Sequence, residues 1–231
     1  MTATIRVYLE KGNRRVFACA LDWPGWCRSG KDAQAALNTL SAYSGRYAVV
    51  AREAGLELPA ATPEDLEVVS EVGGSAGTDF GVPYEITPHD GGELPRQERE
   101  RVRAILSACW RVFDAVAAGA PAELRKGPRG GGRDRDAIVE HVLDAEAAYA
   151  RMLGMRLRPP PRSDASGIAE HRRALLDALE DSPAAPPPST PTKGEARGDK
   201  KRWPPRYAAR RIAWHVLDHA WEIEDRSGPP G

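Results

Sequence analysis

Apolar and polar positions alternate over residues 4 to 10. Ile5, Val7 and Leu9 fall on one side and Arg6, Tyr8 and Glu10 on the other, the period of a half-buried strand. Gly12-Asn13 offers a tight turn, and Arg15 to Leu21 supplies a second strand, so the pattern predicts a hairpin. Across Asp22 to Gly30, Pro24 lacks an amide hydrogen and the glycines favour turning, which predicts a loop with exposed aromatics, Trp23 and Trp26. From Asp32, a residue suited to cap a helix, apolar side chains recur at Ala33, Ala36, Leu37, Leu40, Tyr43, Tyr47 and Val50 until Gly55, the spacing of one amphipathic helix. Leu66 to Val72 reads as another strand. Residues 1 to 72 are therefore expected to form a ββαβ domain, a small sheet covered by one helix.

Glycines and prolines crowd residues 73 to 95, so 73 to 93 is expected to be a linker. Helical periodicity returns from Leu94 to Ala118, where Val102, Ile105, Leu106, Cys109, Val112, Phe113 and Val116 share a face. After a glycine-rich break at 126 to 132, Asp134 or Asp136 caps a second helix whose face carries Ile138, His141, Val142, Ala145, Tyr149 and Met152. A third begins at Ser163 or Asp164, with Ile168, His171, Leu175 and Leu179 along one side. The proline-rich, polar stretch 182 to 203 is expected to be a mobile crossover, and a fourth helix follows to about Arg226. Each one-sided helix needs a partner, so residues 94 to 227 predict a four-helix bundle. The expected fold class is α+β.

Composition narrows the partners. Lysine plus arginine and aspartate plus glutamate number 33 each, so no net field draws the chain to nucleic acid, and the basic run Lys200-Lys201-Arg202 beside Trp203 stands alone. The N-terminal residues lack a signal core, and no apolar run approaches the ~20 residues that span a bilayer. Cys19, Cys27 and Cys109 are odd in number and widely spaced, which reads as reduced thiols in a cytoplasmic protein. Neither nucleic acid nor membrane is expected as a partner; a small-molecule substrate is, and homodimerisation is left open.

The chemistry gathers on histidines. His215 and His219 are four apart in the last helix and so project from one face, and His141 sits in the second helix on its apolar side. Three imidazoles suit one divalent ion with a position left for water or substrate. The competing reading is three hydrogen-bonded histidines at a helix interface. A di-iron centre would need Glu-x-x-His twice, but isoleucine or valine stands three before every bundle histidine. Asp144, Asp218 and Glu222 lie within a turn of a ligand, and could orient imidazoles or accept a proton, or be solvated surface. Arg206, Arg210 and Arg211 could hold a carboxylate at the rim, or be solvated. Trp214 and Trp221 could line a pocket mouth or pack, and His171 reads as a core residue with its hydrogen bonds met.

Two resemblances add to this. The hairpin, Trp23-Pro24-Gly25, and Ser29-Gly30-Lys31-Asp32 leading into an alanine-rich helix resemble the HicB-like antitoxin fold over residues 4 to 72. Antitoxins of that group generally add a DNA-binding segment and pair with a small RNase toxin, and no such segment follows here. Over residues 94 to 227, His141 and His215-Val-Leu-Asp-His219 resemble the DinB-like superfamily, which includes metal-dependent thiol transferases and the mycothiol-dependent maleylpyruvate isomerase. That resemblance implies a zinc or nickel ion on His141, His215 and His219, and a metal-dependent transferase or isomerase using a low-molecular-weight thiol. The alternative function is a non-enzymatic binding or regulatory module, its HicB-like domain contacting a partner and its metal structural or vestigial.

Overall fold

The hairpin forms as its alternation predicts. In a computed structural model that describes residues 4–127, 131–181 and 202–228, β1 (Ile5–Lys11) and β2 (Val16–Ala20) pair antiparallel from Val7 opposite Ala20 to Lys11 opposite Val16. The expected crossover lies outside the described residues except for Arg202 and Trp203. Strand β4 (Leu66–Gly73) returns parallel to β1, and β3 (Cys27–Gly30) adds antiparallel to β2, giving a mixed sheet in the order β3-β2-β1-β4.

Both faces of this sheet are covered where it matters. Val7, Leu9, Ala18 and Ala20 join the main core, while Tyr8, Phe17, Cys19 and Cys27 pack with Trp214 on the opposite face. The nominally polar side of β1 is thus buried at Tyr8 and Glu10, both 0 % exposed. The Glu10 carboxylate accepts hydrogen bonds from the Thr78 hydroxyl at 2.5 Å and from the amides of Tyr84 and Glu85 at 2.9 and 3.1 Å. These bonds tie the expected linker to the sheet. Within it form a short helix, α3 (Ala76–Phe80), and a 3-10 turn, Pro88–Asp90.

The loop expected to expose its tryptophans buries them, Trp23 at 7 % exposed and Trp26 at 0 %. The Trp26 indole N–H donates to the Leu40 carbonyl at 2.9 Å, and its ring stacks on Tyr47 at 5.4 Å. Gly25, at φ +92°, lies so close to the last helix that an added Cβ would sit 2.9 Å from Leu217 and 3.0 Å from Ala213. β2 ends at Ala20, before Pro24, and the turn is a wedge driven into the helices; Cys27–Gly30, expected to belong to the loop, forms an edge strand. The spacing of breakers shows that a chain turns; it does not show what covers the turn.

The single helix expected after Asp32 is two, α1 (Ala33–Ala42) and α2 (Ser44–Glu53), broken at Tyr43. Asp32 does cap the first, its carboxylate accepting from the Ala35 amide at 2.8 Å. The break lets Tyr43 meet Trp221 at 5.0 Å while Tyr47 stacks in the loop.

Four long helices follow: α4 (Arg96–Gly119), α5 (Arg135–Met152), α6 (Ala165–Asp181) and α7 (Pro205–Ser227). Asp164 accepts from the Gly167 amide at 2.9 Å and starts α6, and Pro205 opens α7, where a missing amide hydrogen costs nothing. Helix α7 touches α4, α5 and α6, and through Trp214 and Gly25 it also meets the sheet and its loop. Its burial on several sides explains the near-continuous apolar run at Ala208, Ala209, Ile212, Ala213, Val216 and Leu217.

The cysteine expectation is corrected. Cys19 and Cys27 face each other in the β2–β3 register and are joined as a disulfide, leaving Cys109 as a buried free thiol. Antiparallel pairing turns a separation of eight residues into direct opposition. The reduced-thiol argument for a cytoplasmic location loses its basis for these two residues. Among the described residues, no helix is long and apolar enough to cross a membrane.

Candidate metal centre

Helix α7 presents His215 and His219 one turn apart, and α5 lays His141 across them. The ring centroids are 4.6 Å apart for His215 and His219, 5.1 Å for His141 and His215, and 5.0 Å for His141 and His219. One nitrogen from each ring falls in a group whose members all lie within 4.8 Å of one another. The Nε2 atoms of His141 and His215 are 3.3 Å apart. Two ligand bonds of about 2.0–2.1 Å at a tetrahedral angle separate their nitrogens by about 3.3–3.4 Å, so this pair stands at the spacing of two ligands of a tetrahedral divalent ion.

Protonation favours the same use. His215 is 7 % exposed, and burial holds its imidazole well below the usual basicity, helped by the positive fields of His219, Arg211, His141 and Arg133. His141 is lowered too, chiefly by burial, then by His219 and Arg133, with Asp144 and Glu222 opposing. Neutral imidazole is the form that ligates.

Of the three carboxylates singled out from sequence, Glu222 reaches the site. His219 donates from Nδ1 to Glu222 Oε2 at 2.8 Å, which leaves its Nε2 lone pair for a ligand, and Arg226 donates to Glu222 Oε1 at 2.6 Å. The hydrogen bond from His219 is the main cause of the lowered Glu222 carboxyl pKa. Asp144 is exposed and acts on His141 only through its charge. Asp218 turns to the sheet and takes a 2.5 Å hydrogen bond from Arg28, whose guanidinium lies over Tyr43 and Trp221.

Arg206 and Arg210 do not stand at the rim of the histidines. At about 100° per residue they project about 180° and 140° away from His215, whereas Arg211 is about 40° away. Arg206 grips Glu98 at 2.6 and 2.8 Å and the carbonyls of Gly91 and Glu93, both at 2.7 Å. Arg210 holds buried Asp90 at 2.7–3.0 Å and donates to the Tyr8 hydroxyl at 2.5 Å. Both arginines lock the 73–95 segment to α7.

Trp214 and Trp221 pack rather than open a pocket, against Phe17 at 6.4 Å and Tyr43 at 5.0 Å. His171 is a buried core residue as expected, but its Nε2 has no hydrogen-bond partner among the described residues. Tyr149 stands edge-on to His215 at 5.7 Å and touches Trp203 at 5.3 Å, so aromatic walls flank the site.

A further cluster went unread in the sequence. Glu146, wholly buried on α5, accepts from the Trp110 indole at 2.7 Å and lies 3.7 Å from Arg172, which pairs with Asp114 at 2.7 Å. Its signal was present, because positions 138, 142, 146 and 150 form one buried stripe and only Glu146 is charged.

No protein family, curated protein or solved structure matches this chain.

Proposed function

We propose that the chain is a DinB-like metal-binding protein that holds one divalent cation, zinc or nickel, through His141, His215 and His219, and works as a metal-dependent thiol transferase or isomerase. The observation that carries this is the convergence of three imidazoles from two helices, two of them at the nitrogen spacing a tetrahedral ion requires. When bound, such an ion supplies Lewis-acid polarisation and acidifies a water or thiol ligand. The chain's residues set the stage for it. Burial keeps His215 neutral, and Glu222, itself held by Arg226, fixes the tautomer of His219. Asp144, exposed three residues beyond His141 and without a hydrogen bond among the described residues, is the carboxylate left to take a proton from substrate. Tyr149 and Trp203 limit access of water on one side.

In this reading the HicB-like sheet domain braces α7. Its Gly25 wedge and its Arg28 and Tyr8 contacts all end on that helix. A partner-binding role through the loop tryptophans has no support, since both are buried.

The test is metal content. Natively purified protein, and protein loaded with zinc or nickel and then desalted, is expected to retain about one ion per chain, and the His141→Ala/His215→Ala/His219→Ala variant none. Equal retention by the two proteins, or none by the wild type, ends the proposal. A thiol-conjugation screen, with His215→Ala as control, then tests the chemistry.

A further inference from the structure

Arg211 lies one helical turn before His215. Its guanidinium carbon stands 5.4 Å from the centre of the Tyr149 ring and 4.7 Å from that of Trp214. The same two rings flank His215, at 5.7 and 6.3 Å. Every other arginine of α7 has closed on a carboxylate: Arg206 on Glu98, Arg210 on Asp90 and Arg226 on Glu222. Arg211 makes no ion pair or hydrogen bond with any described residue, and its buried Nη1 has no acceptor.

Two neighbours share this condition. The Trp214 Nε1 and the His215 Nδ1 are also buried without a partner. The His215 Nε2 is turned to His141, so residues 211 to 215 hold two buried N–H donors, Arg211 Nη1 and Trp214 Nε1, and one buried imidazole nitrogen with no partner among the described residues. Unpaired buried donors are costly, although Arg211 as a whole is only partly buried and its Nη1 alone is shut off from water. The acidic group nearest the histidines, Glu222, is committed to His219 and Arg226. On the sheet side, the cavity that Arg211 and Trp214 share with Cys19 and Cys27 measures about 10 Å³, room for one water and nothing larger. That cavity is too small for an acceptor larger than water, and Arg211 stands one turn from His215 on the other side.

We infer that the site takes a small carboxylate substrate whose acid group binds the Arg211 guanidinium edge-on, next to the histidine triad. The Tyr149 and Trp214 rings hold the guanidinium by cation–π contact and supply no hydrogen-bond acceptor, so its N–H groups are available to a planar, bidentate anion. The inference rests on the metal reading for where the remainder of the substrate goes. It moves the carboxylate-binding role from Arg206 and Arg210, which are satisfied, to Arg211.

The probe is benzoate, with benzamide as its uncharged counterpart, titrated calorimetrically into zinc-loaded and metal-free protein. Wild-type protein is expected to bind benzoate in both forms and benzamide at least about tenfold more weakly. Arg211→Met is expected to weaken benzoate about tenfold while still retaining zinc, and Arg211→Lys, which keeps the charge and loses the fork, to fall between. If the wild type retains no zinc after loading yet binds benzoate through Arg211, the metal reading alone falls. Benzoate affinity unaltered in Arg211→Met, equal for benzamide, or undetectable in zinc-loaded wild type overturns the carboxylate site. Should Arg211→Met fail to fold, unaltered benzoate affinity in Arg211→Lys overturns it instead.

Discussion

His219 and Glu222, three residues apart on α7, share a 2.8 Å hydrogen bond at Nδ1, which leaves Nε2 as the ligating nitrogen of a ring whose centre lies 5.0 and 4.6 Å from those of His141 and His215. Sequence places an acid near a ligand in many helices. Here Arg226 holds the acid in turn, so the ring is oriented by a chain of two fixed groups.

Glu222→Gln is accordingly expected to weaken zinc affinity about 10-fold to 100-fold, the usual effect of losing such a partner, with the fold intact. Competition against a chromogenic chelator reads the affinity, and circular dichroism the fold. An affinity equal to wild type would mean that the bond does not position the ring.

Asp90 is 1 % exposed and is the only carboxylate on Arg210 among the described residues. Asp90→Ala leaves the guanidinium buried and uncompensated, with an expected loss of about 3–5 kcal/mol in urea unfolding. Much of that loss should return in Asp90→Ala/Arg210→Met, where both charges are gone.

Gly25 combines a positive φ with close approach to α7, so Gly25→Ala pays in both backbone strain and overpacking. The expected cost is about 1–3 kcal/mol, read as a lower melting temperature. Zinc affinity should fall with it, since Ala213 and Leu217, which an added Cβ would strike, flank His215 along the chain. A melting temperature equal to wild type would show that the wedge can give way.

Burial pushes the Glu146 carboxyl up to about 7, against the opposing pull of Arg172 and the Trp110 indole and with Asp114 adding to the rise. An acid whose folded pKa exceeds its unfolded value binds more protons when folded. Its contribution is fully present below about pH 4.5, is lost as pH rises, and levels off above 7. Glu146→Gln, which keeps the acceptor for Trp110 and removes the charge, is expected to be more stable relative to wild type at pH 8 than at pH 5. Denaturant midpoints at the two pH values measure this, and a constant difference would contradict the shift.

Much was readable along the chain. The β1–β2 alternation, the caps at Asp32 and Asp164, the long helices and the i, i+4 histidine pair all depend on residues close in sequence, where one period decides the outcome. That His141 belongs with them was also legible, as an expectation, because its helix had one apolar face to bury.

What tertiary structure alone decided is which element lies opposite which side chain. Tyr8 and Glu10 occupy the polar half of a strand pattern, yet α7 and the 73–95 segment cover them. Trp23 and Trp26 sit in a turn that the helices enclose, and Cys27 meets Cys19 because an edge strand forms beyond that turn. Arg206, Arg210 and Arg211 are alike in sequence, and only the rotation of α7 sends two of them to acids and the third toward the histidines. Periodicity is a property of a single element and can be read from one chain, whereas burial and pairing belong to two surfaces in contact and exist only once both are folded.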